Sequence, residues 1–423
     1  VNSRFNEWKA PQLSHGTPCQ YGWTVFFPDK LILGTGSDVG SGTVLGAHKG
    51  IEIGKEAQIG ANCSIYSKDT EGGKEGKVMI GDGACIGAGS VVLPGATIEA
   101  GAIVGAGSVV PAGTVVTKGK PWVGIPIKKK RNIYAITGGT GTLGRALTRE
   151  LLKDESIDHI RIISRDEAKH ADMMDEFGKD RIRYILGDVR NRDKMMRAFH
   201  GVTTVIHAAA MKRVDAARYN IDECIYTNVD GTIVVLDAAL HNEVKRFLYI
   251  SSDKAAEPSG TYGNSKLTAE RYVLGATWCE RPHRWAVRLG NILGSTGSIV
   301  PTIRKRIEEN APIRITDPDA TRFVMTQQEA AQFCLSVFDK QPNLHVPQCR
   351  AARVGDIVDA IVGGRECYRH IVGLGKEEKM HEAMLSKREM LSFLMVEEEE
   401  QDLYRSDTAP RLSVEEIGGM IDA

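Results

Sequence analysis

Between Leu31 and Gly119 the apolar positions recur every six residues, a period that belongs neither to a helix nor to a simple strand. The chain divides there into LILGTG, SDVGSG, TVLGAH, KGIEIG, KEAQIG and ANCSIY. After an insertion from Ser67 to Lys77 it continues as VMIGDG, ACIGAG, SVVLPG, ATIEAG, AIVGAG, SVVPAG and TVVTKG. The third place holds Leu33, Val39, Leu45, Ile51, Ala57, Cys63, Ile80, Ile86, Val92, Ile98, Val104, Val110 and Val116. The sixth is glycine in eleven of the thirteen units. One inward apolar side chain and one corner glycine per six residues describe a flat face of a triangular solenoid, three units to a coil. Glycine at that frequency would unmake a helix. The pattern predicts a left-handed parallel β-helix over residues 1–127, with about four coils and an insertion loop. A linker is expected at 128–132, because KPWVGIPIKKKRN (120–132) combines two prolines with a basic run.

Beyond residue 132 the pattern changes to short apolar strands alternating with amphipathic helices. Strands are expected at Asn132–Ile136, His159–Ile163, Tyr184–Leu186, Thr204–His207 and Phe247–Ser251, and a helix at Arg145–Leu152. This alternation predicts a Rossmann-type α/β fold across 133–423: a doubly wound parallel sheet with a small substrate-binding subdomain drawn mainly from 291–423.

Composition narrows the function. A chain of 423 residues with 42% apolar residues has room for two or three cored domains. Lys+Arg and Asp+Glu both number 54, so the net charge of zero argues against nucleic-acid binding through bulk charge. The eight cysteines contain no C-x-x-C pair, which points to no metal site and no disulfide framework, and to reduced thiols in a cytoplasmic protein. No apolar run reaches the roughly 18 residues of a membrane span, and no signal-peptide pattern is present. The first residue is valine, which leaves room for residues upstream. The acidic run Glu397–Glu400 reads as a solvated face.

The chemistry concentrates in the second region. Thr137-Gly138-Gly139-Thr140-Gly141-Thr142-Leu143-Gly144 lies between an expected strand and an expected helix, the context that makes a glycine loop a dinucleotide site. There the backbone approaches a pyrophosphate resting on the helix N-terminus. The next strand ends in Ser164-Arg165-Asp166. Arg165, assisted by Lys169, favours a 2′-phosphate and so NADP over NAD, with Asp166 as the opposing signal. Asp188 and Val189 are placed to meet adenine, and Ala208 and Ala209 to let the cofactor lie close. His207 reads as a packed strand residue. Ser252-Asp253-Lys254 follows the fifth strand, and Tyr262 and Lys266 lie four apart, on one helix face. In this reading Lys266 lowers the Tyr262 phenol pKa, preparing it as a base, and Ser252 binds the same substrate oxygen. The acid and base at Asp253 and Lys254 suit loss of water across two carbons.

Two resemblances follow from these motifs. Residues 25–130 resemble the hexapeptide-repeat acyltransferases. That resemblance implies trimers, acetyl-CoA held in the groove between neighbouring solenoids, and a histidine as general base. The candidates here are His48, which replaces a corner glycine, and His15. The loop that carries a histidine in many relatives reads Ser67-Lys68-Asp69-Thr70, so a solenoid that only assembles the chain stands as the alternative.

Residues 131–423 resemble the soluble UDP-N-acetylglucosamine 4,6-dehydratases of the extended short-chain dehydrogenase/reductase family. The resemblance rests on ITGGTGTLG, ISRDE, GDVR, HAAAMKRV, TNVDGT, SSDKAAEPSGTYGNSK, VRLGNILGSTGSIVP, ITDPDATRF, EEKMHEAM and YRSDTAPRLSVEE. It implies Tyr262 as base on the sugar 4-hydroxyl, Lys254 as base at C5 and Asp253 as acid on the departing C6 hydroxyl. It also implies Lys212, Asn291, Ser298 and Arg322 at the nucleotide-sugar substrate, arginine suiting a diphosphate through its fork of donors. Gly375-Lys376-Glu377 stands where the family commonly has Arg-Pro-Gly. Inversion at C5 is favoured over retention. A homo-oligomer, trimeric or hexameric through the β-helix, is expected, with a pathway aminotransferase as a further partner. The alternative is another short-chain dehydrogenase activity such as C4 epimerisation.

Overall fold

The computed structural model describes residues 8–69, 73–126, 128–129, 132–276, 281–386, 389 and 404–422. Thr70, Cys279, Lys130, Arg131 and the acidic run Glu397–Glu400 lie outside the described residues. Contacts divide the chain into two compact units, Val1–Arg131 and Asn132–Ala423.

The first unit is a parallel β-helix of three faces, each a stack of short strands one coil apart. Val91 pairs with Val109 and Thr97 with Val115, so these coils are eighteen residues long, three sixes. Earlier coils are longer: Leu31 pairs with Ile51 and Val44 with Ser64, twenty residues on. The two extra residues fall at one corner, which holds Phe27 in one coil and His48 in the next, and the Ser67–Lys77 insertion leaves from the same corner. The strict six-residue frame therefore slips by two after Leu45. Ile51, Ala57 and Cys63 do point inward, but Ile53, Ile59 and Ile65 two places on are also buried. Each face turns two side chains in, as in Ala84 with Ile86 and Ala102 with Val104, because alternate strand residues share a side. Close approach of coils explains the glycines: a Cβ on Gly87 would lie 2.3 Å from the Ala106 nitrogen. The expected linker begins later than its prolines imply. Trp122–Val123 continues one face beside Val104, and Lys128–Lys129 returns antiparallel along it.

In the second unit the strands are β1 (Ile133–Thr137), β2 (His159–Ser164), β3 (Ile182–Leu186), β4 (Thr204–His207), β5 (Arg246–Ser252), β6 (His283–Leu289) and β7 (Leu344–His345). They form one parallel sheet in the order β3-β2-β1-β4-β5-β6-β7. The order reverses between β1 and β4, where a doubly wound sheet opens a crevice at its strand C-termini. Both faces of the sheet are covered, and the central strand β1 is buried at every position. Helix α1 (Thr142–Leu152) packs Leu147 and Leu151 into one of the two flanking cores. It starts three residues before the expected helix, since Thr142-Leu143-Gly144 forms its first turn. Helix α2 (Glu167–Phe177) follows β2 and α3 (Thr261–Gly275) follows β5.

A smaller subdomain completes the unit. Asn291–Ile292, Thr321–Met325 and Arg350–Arg353 form a three-stranded sheet, and Ile313–Ile315 pairs with Arg369–Ile371. Helices Ile299–Glu308, Val354–Val362 and Val414–Asp422 cover them over two small apolar cores. No helix among the described residues is long and apolar enough to cross a membrane.

Candidate active site

The loops at the C-terminal ends of β1, β2, β4 and β5 converge on a cavity of about 1070 Å³. Gly138, Thr140, Gly141, Thr142, Leu143 and Gly144 form one wall, Ser164, Arg165 and Lys169 another, and Val189, Ala208 and Ala209 the floor between them. Gly138 has φ of +68°, and a Cβ there would meet the Ala209 nitrogen at 2.7 Å, so only glycine lets the two loops touch. The free N–H groups at the start of α1 point a positive helix end at this space.

Charge beyond β2 is arranged for an anion. The Asp166 carboxylate caps α2, accepting from the Lys169 nitrogen at 3.1 Å, and these contacts hold it below the usual carboxylate range. Arg165 is more than half exposed and reaches Asp188 at 3.4 Å. Asp188 itself is taken by Arg190, at 2.7 Å, and does not line the cavity, contrary to its expected place at adenine.

Strand β5 delivers Ser252, Asp253 and Lys254 in one turn, and α3 presents Tyr262 and Lys266. Asp253 is 2% exposed. Its Oδ1 accepts from the Ser252 hydroxyl at 2.8 Å and the Lys254 backbone nitrogen at 2.9 Å, and Lys254 Nζ lies 3.4 Å away. Its Oδ2 is buried with no hydrogen-bond partner among the described residues. Lys254 Nζ also meets Glu382 Oε1 at 3.3 Å. Burial works against the Lys254 ammonium, but Asp253 and Glu382 outweigh it and hold its pKa above the ordinary lysine range.

Tyr262 and Lys266 both lie on α3. Burial raises the Tyr262 phenol pKa, and what opposes the rise is the Ser252 hydroxyl and the Lys254 charge. Lys266 donates to the Ile250 carbonyl and sits over the Tyr249 ring, 4.3 Å from its centroid. Burial pushes its own pKa down to about 7. His207 is a packed strand residue, with Thr137 Oγ1 at 2.6 Å on one ring nitrogen and Thr232 Oγ1 at 2.9 Å on the other.

A second cavity of about 390 Å³ shares Lys254, Tyr262 and Asn291 with the first. Arg322 lines it, its guanidinium 3.1 Å from Glu378. The replaced Gly375-Lys376-Glu377 stretch brings Glu377 to its wall, where the Ser259 hydroxyl donates to the Glu377 carbonyl at 2.7 Å. Lys212 and Ser298, expected at the substrate, line the larger cavity instead.

Glu382 and Asn228 were not singled out by the sequence reading, although both lie within motifs it quoted. Asn228 donates to Ser265 at 2.9 Å and accepts from the Met211 nitrogen at 2.7 Å, tying α3 to the loop after β4. Neither spacing nor residue type marks these roles, because the partners are distant in sequence.

In the β-helix, His48 is exposed at its corner and its ring lies 4.1 Å from the Phe27 ring. His15 accepts from the Phe27 backbone nitrogen at 3.1 Å and packs edge-on to the same ring. Both histidine candidates thus border one aromatic corner. Among the described residues no cluster could hold a metal ion.

Over 263 residues, 61% of this chain and 78% of the relative, the sequence is 38% identical to UDP-N-acetylglucosamine 4,6-dehydratase (inverting) of Campylobacter jejuni. It is 34% identical over 266 residues, 60% of this chain and 78% of the relative, to UDP-glucose 4-epimerase of Rickettsia prowazekii. The solved structure of Pen from Bacillus thuringiensis superposes with a TM-score of 0.64 at 30% identity, covering 69% of this chain and 97% of that one. Residues 77–112 match the bacterial transferase hexapeptide (six repeats) model. Residues 134–401, more than half of the sequence, match the polysaccharide biosynthesis protein model, and the chain belongs to that family.

Proposed function

We propose that the second unit is an NADP-dependent nucleotide-sugar 4,6-dehydratase that converts UDP-N-acetylglucosamine to a UDP-4-keto-6-deoxy-N-acetylhexosamine for surface-sugar synthesis, with inversion at C5. The observation that carries this reading is the buried Asp253 beside Lys254, at the place where the two cavities meet Tyr262. A simple dehydrogenase has no use for that second acid and base. The Campylobacter relative, named for the same reaction, supports the substrate.

The larger cavity fits a dinucleotide: the Gly138 cradle would be filled by any Cβ, and the α1 N-terminus faces it. Arg165 and Lys169 fit a 2′-phosphate, and Asp166 beside them caps α2 through Oδ1. When bound, NADP supplies a reversible hydride acceptor for oxidation at C4 and return at C6. Tyr262 takes the 4-hydroxyl proton with Ser252 bonded to the same oxygen. The resulting ketone acidifies the C5 hydrogen, which Lys254 removes, and Asp253 protonates the departing C6 hydroxyl. Asn291 and Arg322 border the sugar-nucleotide cavity, and Ser298 and Lys212 extend the binding surface from the adjoining one.

Turnover of UDP-N-acetylglucosamine in heavy water, read by NMR, tests this. A 4-keto-6-deoxy product carrying deuterium at C5, with couplings of the inverted ring, is the expected result. Loss of that product in Lys254→Ala is expected too. A 4-epimer formed in place of that product, and unaffected by Lys254→Ala, would instead support C4 epimerisation, the reaction named for the Rickettsia relative.

For the first unit the reading is acetyl transfer from acetyl-CoA to an amino sugar of the same pathway, with His48 as base and a trimer or hexamer built through the β-helix. The His48–Phe27–His15 corner supports it. Acetyl-CoA with a 4-amino-6-deoxy sugar nucleotide should release free thiol, and a pathway aminotransferase would supply that acceptor. No release would leave the β-helix as an assembly module.

A further inference from the structure

The Asp253–Lys254 pair has a third member. Glu382 lies 3.3 Å from Lys254 Nζ, and Asp253 lies 3.4 Å from the same nitrogen. Glu382 is 4% exposed, so solvent screens its charge little. Its backbone is clamped: its nitrogen donates to Ser406 Oγ at 2.9 Å and its carbonyl accepts from the Ser406 nitrogen at 2.9 Å. The Met380 carbonyl accepts from Thr321 N, and Met384 N donates to Tyr404 O, both at 2.9 Å. A glutamate fixed from both sides by two distant segments is not a solvated loop charge.

Resting on the dehydratase reading, we propose that Glu382 is a positioning residue for the elimination step: its charge keeps inside the Asp253–Lys254 pair the one proton that the pair must share. The step needs that proton on Asp253 and a free amine on Lys254, which the resting ion pair reaches when the ammonium passes a proton to the carboxylate. The amine then takes the C5 hydrogen as a proton, and the electron pair of that C–H bond becomes the C5–C6 double bond. The C6–O bond breaks and the hydroxyl leaves as water with the proton from Asp253. Ammonium and carboxylate are then restored without a proton from solvent. A second carboxylate favours the protonated state at either position, so the pair holds its proton to higher pH.

The experiment is the pH dependence of kcat for UDP-N-acetylglucosamine dehydration in wild type, E382Q and E382D, with NADP affinity as the check on folding, since Glu382 does not line that cavity. The alkaline limb should move at least about one pH unit lower in E382Q, a roughly tenfold loss on that limb. E382D, which keeps the charge, should restore most of it. If E382Q does not fold, the limb in E382D carries the test, moved partway in the same direction. An unmoved limb in both variants, or an equal loss at every pH in both, overturns the proposal. A wild-type enzyme that forms no 4-keto-6-deoxy sugar overturns the dehydratase reading itself, a result visible before any variant is made.

Discussion

Lys254 and Lys266 sit in one site and are shifted in opposite directions. Two carboxylates face Lys254 and keep it charged, while burial holds Lys266 down to about 7. Tyr262 lies between these regimes, so Tyr262→Phe should abolish turnover, by about 10³-fold or more, while NADP binding persists; single-turnover kinetics with a cofactor titration would separate the two. Arg165→Ala should weaken NADP by about tenfold and leave NAD nearly unaffected, as read by calorimetry. His207 makes a different claim. Burial, with the Lys266 charge behind it, pushes its pKa down to about 3, against an ordinary value near 6.5. The unfolded chain therefore binds a proton there that the folded chain refuses. Stability tied to His207 is full above pH 6.5 and is lost as pH falls from 6.5 towards 3, by an order of a few kcal/mol. Urea melts of wild type and His207→Gln across that window should converge as pH falls.

At the scale of elements, α3 matters most, because it is fastened at several points. Its Glu270 pairs with Arg288 of β6 at 2.7 Å, and Arg288 also pairs with Glu389 at 2.7 Å and donates to the Met384 carbonyl at 2.9 Å. Arg288 and Glu270 are almost wholly buried. This network fixes the segment that carries Glu382 to the helix that carries Tyr262. Arg288→Ala would leave Glu270 charged and unpaired, at a cost of about 3–5 kcal/mol. Equilibrium denaturation should show that loss, and a change within error of zero would mean the network relaxes onto other partners.

At the scale of the whole molecule, the two compact units invite separation. Residues 132–423 alone should melt in one cooperative transition that NADP raises, as calorimetry would show, because their cores are complete without the first unit. The sequence by itself determined both architectures. A six-residue period can be satisfied only by stacking coils, and apolar strands alternating with helices require a sheet covered on both faces. It also placed the glycine loop, Arg165 and the run from Ser252 to Lys266, because each depends on neighbours close in the chain. What only the tertiary structure decided are relations between distant segments. The two-residue slip at the His48 corner depends on how successive coils meet. The assignment of Lys212 and Ser298 to one cavity and Arg322 to the other depends on where three loops converge. Glu382 joins Lys254 from more than a hundred residues away, since charges act through space and not through sequence.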